Sequence, residues 1–165
     1  VVIHVYGYET KDRRYYIDKR FVNKRMSFQQ ILETVQGIYQ GFNTNAHGSI
    51  KLLVEKVAFQ DAAIQVFKHN SLDVKGVGIR SDKRSRLSTA SMLFEQGRVF
   101  FPADHSCDPI AQQLIGFGVE KHDDLVDAVT MGLNYINTKV VRTASMTIVN
   151  RGRPTITFYN IEYRD

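Results

Sequence analysis

Cysteine is nearly absent, since Cys107 is the single one among 165 residues. An internal disulfide is therefore impossible and a thiolate-rich zinc site is excluded, which fits a reducing compartment. No apolar run approaches the ~20 residues that a bilayer-spanning helix requires. Val1 does not open the charged-then-apolar stretch of a signal peptide. A Walker-type phosphate loop is missing, so these residues are not expected to hydrolyse ATP by that route. His4, His47, His69 and His105 show no H-x-x-x-H or similar ligand spacing, and there is no internal repeat.

What is present suits one globular domain with a real core, because 43% of the residues are apolar and 24% charged. The formal net charge is +5 and the pI is near 9.4. Such a balance permits a polyanionic partner without demanding one.

Val1 to Tyr8 is β-branched and aromatic, and RRYYIDKRFV (13–22) repeats that character, which predicts a β-hairpin. Phe28, Ile31, Leu32, Val35, Ile38 and Tyr39 recur on one helical face, with Ser27 as N-cap and Gly41 as the stop. IKLLVEKVAF (50–59) reads as a strand apolar on both faces, as in the interior of a sheet covered by helices. A short helix over 60–69 and a short strand in VKGVGIR (74–80) follow. Next come a helix near 87–96 entered from a basic loop, and a strand in RVFFP (98–102). A helix over 109–117 with Asp108 as cap precedes a long helix over 122–138. MTIVNRGRPTITFYNIEYRD (146–165) alternates around a turn and predicts a second hairpin. Strands alternating with helices predict an α/β sheet core.

KHDDLVDAV (121–129) gathers three aspartates and a histidine at the head of an apolar helical pattern. Capping accounts for Asp123 and Asp124, since a carboxylate at a helix start gains ~0.3–1 kcal/mol from the dipole. Asp127 is harder to explain. It lies one turn further in, beside the stripe of Leu125, Val129, Leu133 and Ile136. It also shares a face with Asp124 and Asp123 at i, i+3 and i, i+4 spacing. Like charges so placed repel, and a cation between them reverses the sign of that cost.

Glu55 raises a matching question inside its apolar run, on the strand face of Leu53 and Val57. A lysine or arginine partner, solvent at the strand end, or a metal ion would each satisfy it. The third fits the habit of α/β sheets, which collect sites at strand ends. Lys83, Arg84 and Arg86 read as a solvated loop face, becoming phosphate contacts if the metal site is real. His122 could hydrogen-bond a ligand or a phosphate, although a solvated helix-start histidine is the plainer reading.

Taken in order, the hairpin, the helix, LLVEKVAF, GVGIRSDKRSRLSTASMLFEQGRVFFP and KHDDLVDAV resemble one family. Over residues 1–138 the chain is similar to the C-terminal nuclease domain of the large terminase subunit of tailed bacteriophages. The basic segment leading to GRVFFP and the HDDLVDA helix start are its most specific parts. The resemblance implies an α/β fold, an RNase H-like mixed β-sheet flanked by helices. Residues 1–138 would form the nuclease domain, and 139–165 a C-terminal β-hairpin extension of it.

The implied activity is metal-dependent endonucleolytic cutting of concatemeric viral DNA during genome packaging, with Mg²⁺ or Mn²⁺ in a two-metal site. Glu55 corresponds to the family's acid on the fourth strand. Asp123, Asp124 and Asp127 correspond to the cluster on the last core helix, with Asp124 and Asp127 favoured as ligands. Lys83, Arg84 and Arg86 would contact DNA phosphates, and His122 would support the ligands from outside. The implied partners are double-stranded DNA, an upstream ATPase motor domain of the same polypeptide, the portal and the small terminase subunit. The implied location is the host cytoplasm, away from membranes. The family's first catalytic aspartate lies on a central strand preceding one like VVIHVYG, and Asp12 and Asp18 match no such motif. A fragment beginning at the second strand, with the first aspartate upstream or missing, is therefore expected. Another polynucleotidyl transferase of the same fold (resolvase or integrase type) and an inactive DNA-binding module are the alternatives.

Overall fold

The strand Ser49–Glu55 organises the molecule, because it buries apolar side chains on both faces of the sheet, Ile50, Leu52 and Val54 on one and Leu53 on the other. In the computed structural model, Leu53 packs with Leu125, Ala128 and Val129 on one side of the sheet. Ile50, Leu52 and Val54 pack with Ile31, Val35, Ile64 and Phe67 on the other. Burying one such side chain contributes ~1.5–3 kcal/mol, so a strand with apolar residues on both faces is stable only between two helical layers. The described backbone covers residues 2–9, 12–43, 49–56, 61–78, 81–119, 124–138, 143–150 and 153–160. Side chains are described for 12–42, 50–56, 61–78, 81–119 and 124–138.

The first half comprises β1 (Val2–Glu9), β2 (Arg14–Asn23), α1 (Phe28–Asn43), β3 (Ser49–Glu55), α2 (Asp61–His69) and β4 (Val74–Val77). The second comprises α3 (Lys83–Glu95), β5 (Val99–Phe100), α4 (Asp108–Ile115), α5 (Asp124–Thr138), β6 (Thr143–Asn150) and β7 (Arg153–Asn160). Residues from α1 and α2 build the core on one face of the sheet, and residues from α3, α4 and α5 the core on the other. The sheet is mixed, with strand order β4-β3-β6-β7-β1-β2-β5. β3 runs parallel to β4 and β6, β1 parallel to β7, and β1 antiparallel to β2.

Both expected hairpins form. Their roles differ, because the C-terminal one lies inside the sheet, between β3 and β1. A break there would have exposed unpaired edges, which folded proteins avoid. Instead Leu53 lies opposite Thr147 of β6 and also opposite Thr157 of β7, while Ile3 of β1 faces Ile156 of β7.

Local chemistry sets some of the helix boundaries. Ser27 Oγ accepts from the Gln30 amide at 3.3 Å, and Gln30 Oε1 accepts from the Ser27 amide at 2.9 Å. This reciprocal cap starts α1 where expected. The helix then runs through Gly41 to Asn43, so that glycine does not stop it. Phe42, one residue later, packs on the core of that face and holds the last turn.

In α4, Asp108 is the first helical residue rather than the cap. Cys107 takes the cap position without a side-chain hydrogen bond, and Pro109 follows in the first turn. Proline there lacks only an amide that has no helical partner anyway. The Cys107 thiol is buried, and burial pushes its pKa up, which suits a packing role better than a nucleophilic one. Residues 57–60, at the end of the expected third strand, lie outside the described residues.

Candidate active site

α3 begins earlier than periodicity suggests, and this changes the meaning of the basic run. Lys83, Arg84 and Arg86 are not in a loop; they form the first turn of a helix that starts at Lys83. Asp82 caps it, its Oδ1 accepting from the Ser85 amide at 3.0 Å and its Oδ2 from the Ser85 hydroxyl at 2.6 Å. Those hydrogen bonds hold the Asp82 carboxyl below its ordinary pKa of 3.8. The cap therefore stabilises fully above the ordinary carboxylate pKa, and its contribution disappears as pH falls through the lowered folded value. Asp82→Ala is expected to accelerate amide exchange at Ser85 and the rest of the first turn while distant helices stay protected. Hydrogen exchange checks this, and unchanged protection at Ser85 would contradict the cap.

From that first turn, two cations reach across to α5. Lys83 Nζ lies 2.5 Å from Oδ2 of Asp127, and Arg86 Nη2 donates to Oδ1 at 2.8 Å. The Asp127 side chain is only 12% exposed. It is buried because α5 is covered on nearly every side, from Leu125 through Leu133. Burial of a carboxylate on this scale demands partners, and α3 supplies two.

Arg86 is itself anchored. Its Nη1 donates to the Ser81 carbonyl at 2.7 Å, and its own carbonyl accepts from Asn134 Nδ2 at 2.9 Å. The guanidinium is turned inward, with 11% of the side chain exposed. The Lys83 side chain is 38% exposed, and Arg84 stands open to solvent.

Asp124 is the first residue of α5, with one carboxylate oxygen shielded from solvent. The Leu125 amide beside it donates to Gln113 Oε1 of α4 at 3.1 Å, so a neighbouring helix satisfies part of this helix start. Capping does not describe Asp127, whose oxygens face α3 rather than the amides of its own helix.

Glu55 ends β3, half-buried, opposite Val77 at the end of β4. Strand alternation gives it the face of Leu53, which is the face covered by α5. Asp123 and His122 lie outside the described residues. Asp12 forms an ion pair with Arg14, and Asp18 with Arg20, both around the N-terminal hairpin.

Donor chemistry gives a first test of fit. Carboxylates suit hard divalent cations, and Asp124 and Asp127 supply them one helical turn apart. Among the described residues, however, no three His, Cys, Asp or Glu side chains gather closely enough to hold one ion together. Four contributors to the arrangement were not singled out from sequence: Ser81, Asp82, Gln113 and Asn134. Asp82 had a readable signal, a capping residue three positions before Ser85. Asn134 lies two turns after Asp127 on the same helix, a spacing that gains meaning only once α3 is in place.

A family model described as the terminase RNaseH-like domain matches residues 1–135. The chain belongs to that family. No curated protein and no solved structure gives a match. The terminase domain therefore has the RNase H-like fold, and its family supports a nuclease-type role. Among the described residues, no helix is long and apolar enough to cross a membrane.

Proposed function

We propose that this terminase domain is a metal-dependent DNA endonuclease that cuts concatemeric viral DNA during genome packaging. The observation that carries this reading is Asp127, a buried carboxylate held by two cations at the head of α5, one turn from Asp124. Asp124 and Asp127, with Glu55 from the strand end and Asp123, which precedes Asp124 in the sequence, would hold Mg²⁺ or Mn²⁺. Such an ion pair, when bound, supplies an activated water on one side of a phosphodiester and charge neutralisation on the other.

The chain's own contribution is positioning. Arg86 fixes the Asp127 carboxylate from inside the fold. Arg84, on the open side of the same turn, is available to backbone phosphates, and Lys83 would reach them on leaving Asp127. Phosphate contacts give affinity without reading sequence, which suits an enzyme cutting after a variable length of DNA. The remaining parts of the reading are a host-cytoplasmic setting, an ATPase motor on the same polypeptide, and the portal and small terminase subunit as partners.

Supercoiled plasmid incubated with Mn²⁺, Mg²⁺ or EDTA tests the proposal, alongside Asp124→Ala and Glu55→Ala. Nicking that requires metal and is lost in both variants is the expected result. A second reading draws on Asp127 already being matched by Lys83 and Arg86, which would equally suit a module that binds DNA without cutting. Unchanged DNA binding in EDTA, with no cutting in either metal, would favour that module instead.

A further inference from the structure

Resting on the metal-dependent reading, we infer that Lys83 is a displaceable stand-in cation on Asp127, so that DNA binding controls entry of the divalent ion. The two cations on Asp127 are not equivalent. Arg86 is 11% exposed and has a second tie to the Ser81 carbonyl, while Asn134 holds its backbone. Lys83 is 38% exposed and sits at the very first residue of α3, on a flexible four-carbon stem. Of the two, Lys83 is the one placed to swing outward, because Arg86 is held from inside the fold.

Charge gives the direction of the exchange. Lys83 and Arg86 both sit on the Asp127 carboxylate, so a divalent ion arriving at Asp127 meets two positive charges there. Releasing Lys83 from Oδ2 lowers that repulsion and frees an oxygen for the ion. A DNA phosphate offers the released ammonium a new partner of the same sign as the one it left. Substrate and metal thus favour one another through a single lysine, and linkage makes the effect reciprocal. Without DNA, Lys83 keeps Asp127 occupied and disfavours metal loading.

The experiment is Mn²⁺ binding, followed by electron paramagnetic resonance of the free ion, with and without a short phosphorothioate duplex that resists cutting. Lys83→Ala is expected to bind Mn²⁺ about five- to tenfold more tightly than the native protein without DNA, within the usual span of coupling between two sites. The duplex should raise the native protein's affinity and close most of that gap, whereas Lys83→Arg should stay near native. Lys68→Ala, an exposed charge on α2, should leave Mn²⁺ affinity unchanged and so controls for general loss of positive charge.

If Lys83→Ala binds no more tightly while Asp127→Asn weakens binding, the displacement idea is wrong and the metal site stands. If no form binds Mn²⁺ with or without the duplex, the metal-dependent reading fails and takes this inference with it. An equal gain in Lys68→Ala would also overturn the specific role of Lys83.

Discussion

Asp127→Asn is expected to lower metal-dependent plasmid cutting by more than about a hundredfold, beyond the usual cost of losing a group that only supports a ligand. Asparagine keeps the volume, and its carbonyl oxygen can still accept from Arg86. What it removes is the negative charge, the property a hard cation needs. DNA binding should persist, because Lys83 and Arg84 are untouched and the released ammonium becomes more available to phosphate. Cutting assays paired with fluorescence anisotropy on the same duplex separate the two effects. Cutting within a few-fold of the native rate would remove Asp127 from the proposed ligand set.

The second large effect is on stability. Arg86→Ala strips the inner cation from a carboxylate that is only 12% exposed. It also abolishes the link from α3 to the Ser81 carbonyl. Removing one partner of a buried ion pair usually costs ~3–5 kcal/mol. The lower end, about 3 kcal/mol, is expected here, because Lys83 remains as a partner. A pocket lined by Val77, Gly78, Ser81 and Arg86 also gives water a route to the vacated space. Lys83→Ala removes the exposed partner of the same carboxylate and should cost about 1 kcal/mol or less. Urea unfolding of the two variants side by side tests the contrast. Equal losses would mean that burial does not distinguish these two cations.

Much of the framework was legible because it rests on periodicity. The stripe Leu125, Val129, Leu133 and Ile136 is buried as its spacing requires. The two faces of β3 divide between two cores as its alternation requires. Residue order also carried the family resemblance, since spacing within LLVEKVAF and HDDLVDA survives in a single dimension. Two signals were weaker. α3 has apolar residues too scattered to mark its start, and its first turn is made of lysine, arginine and serine. Its boundary is set by the Asp82 side chain, a local hydrogen bond that periodicity does not register. The end of α1 is hidden from the sequence for the opposite reason, because packing of Phe42 outweighs the modest helix penalty of Gly41.

By itself, then, the sequence determined the α/β pattern, the apolar faces of β3 and α5, and the gathering of acids at a helix start. Each follows from side-chain spacing along one element. Only the tertiary structure decided that Asp127 is buried against Lys83 and Arg86, since residues 41 or more positions apart meet through the packing of α3 on α5. Only the sheet decided that the C-terminal hairpin lies between β3 and β1 rather than at an edge. Strand pairing is chosen by backbone hydrogen bonds between distant segments, and side-chain pattern along one strand does not name its neighbour.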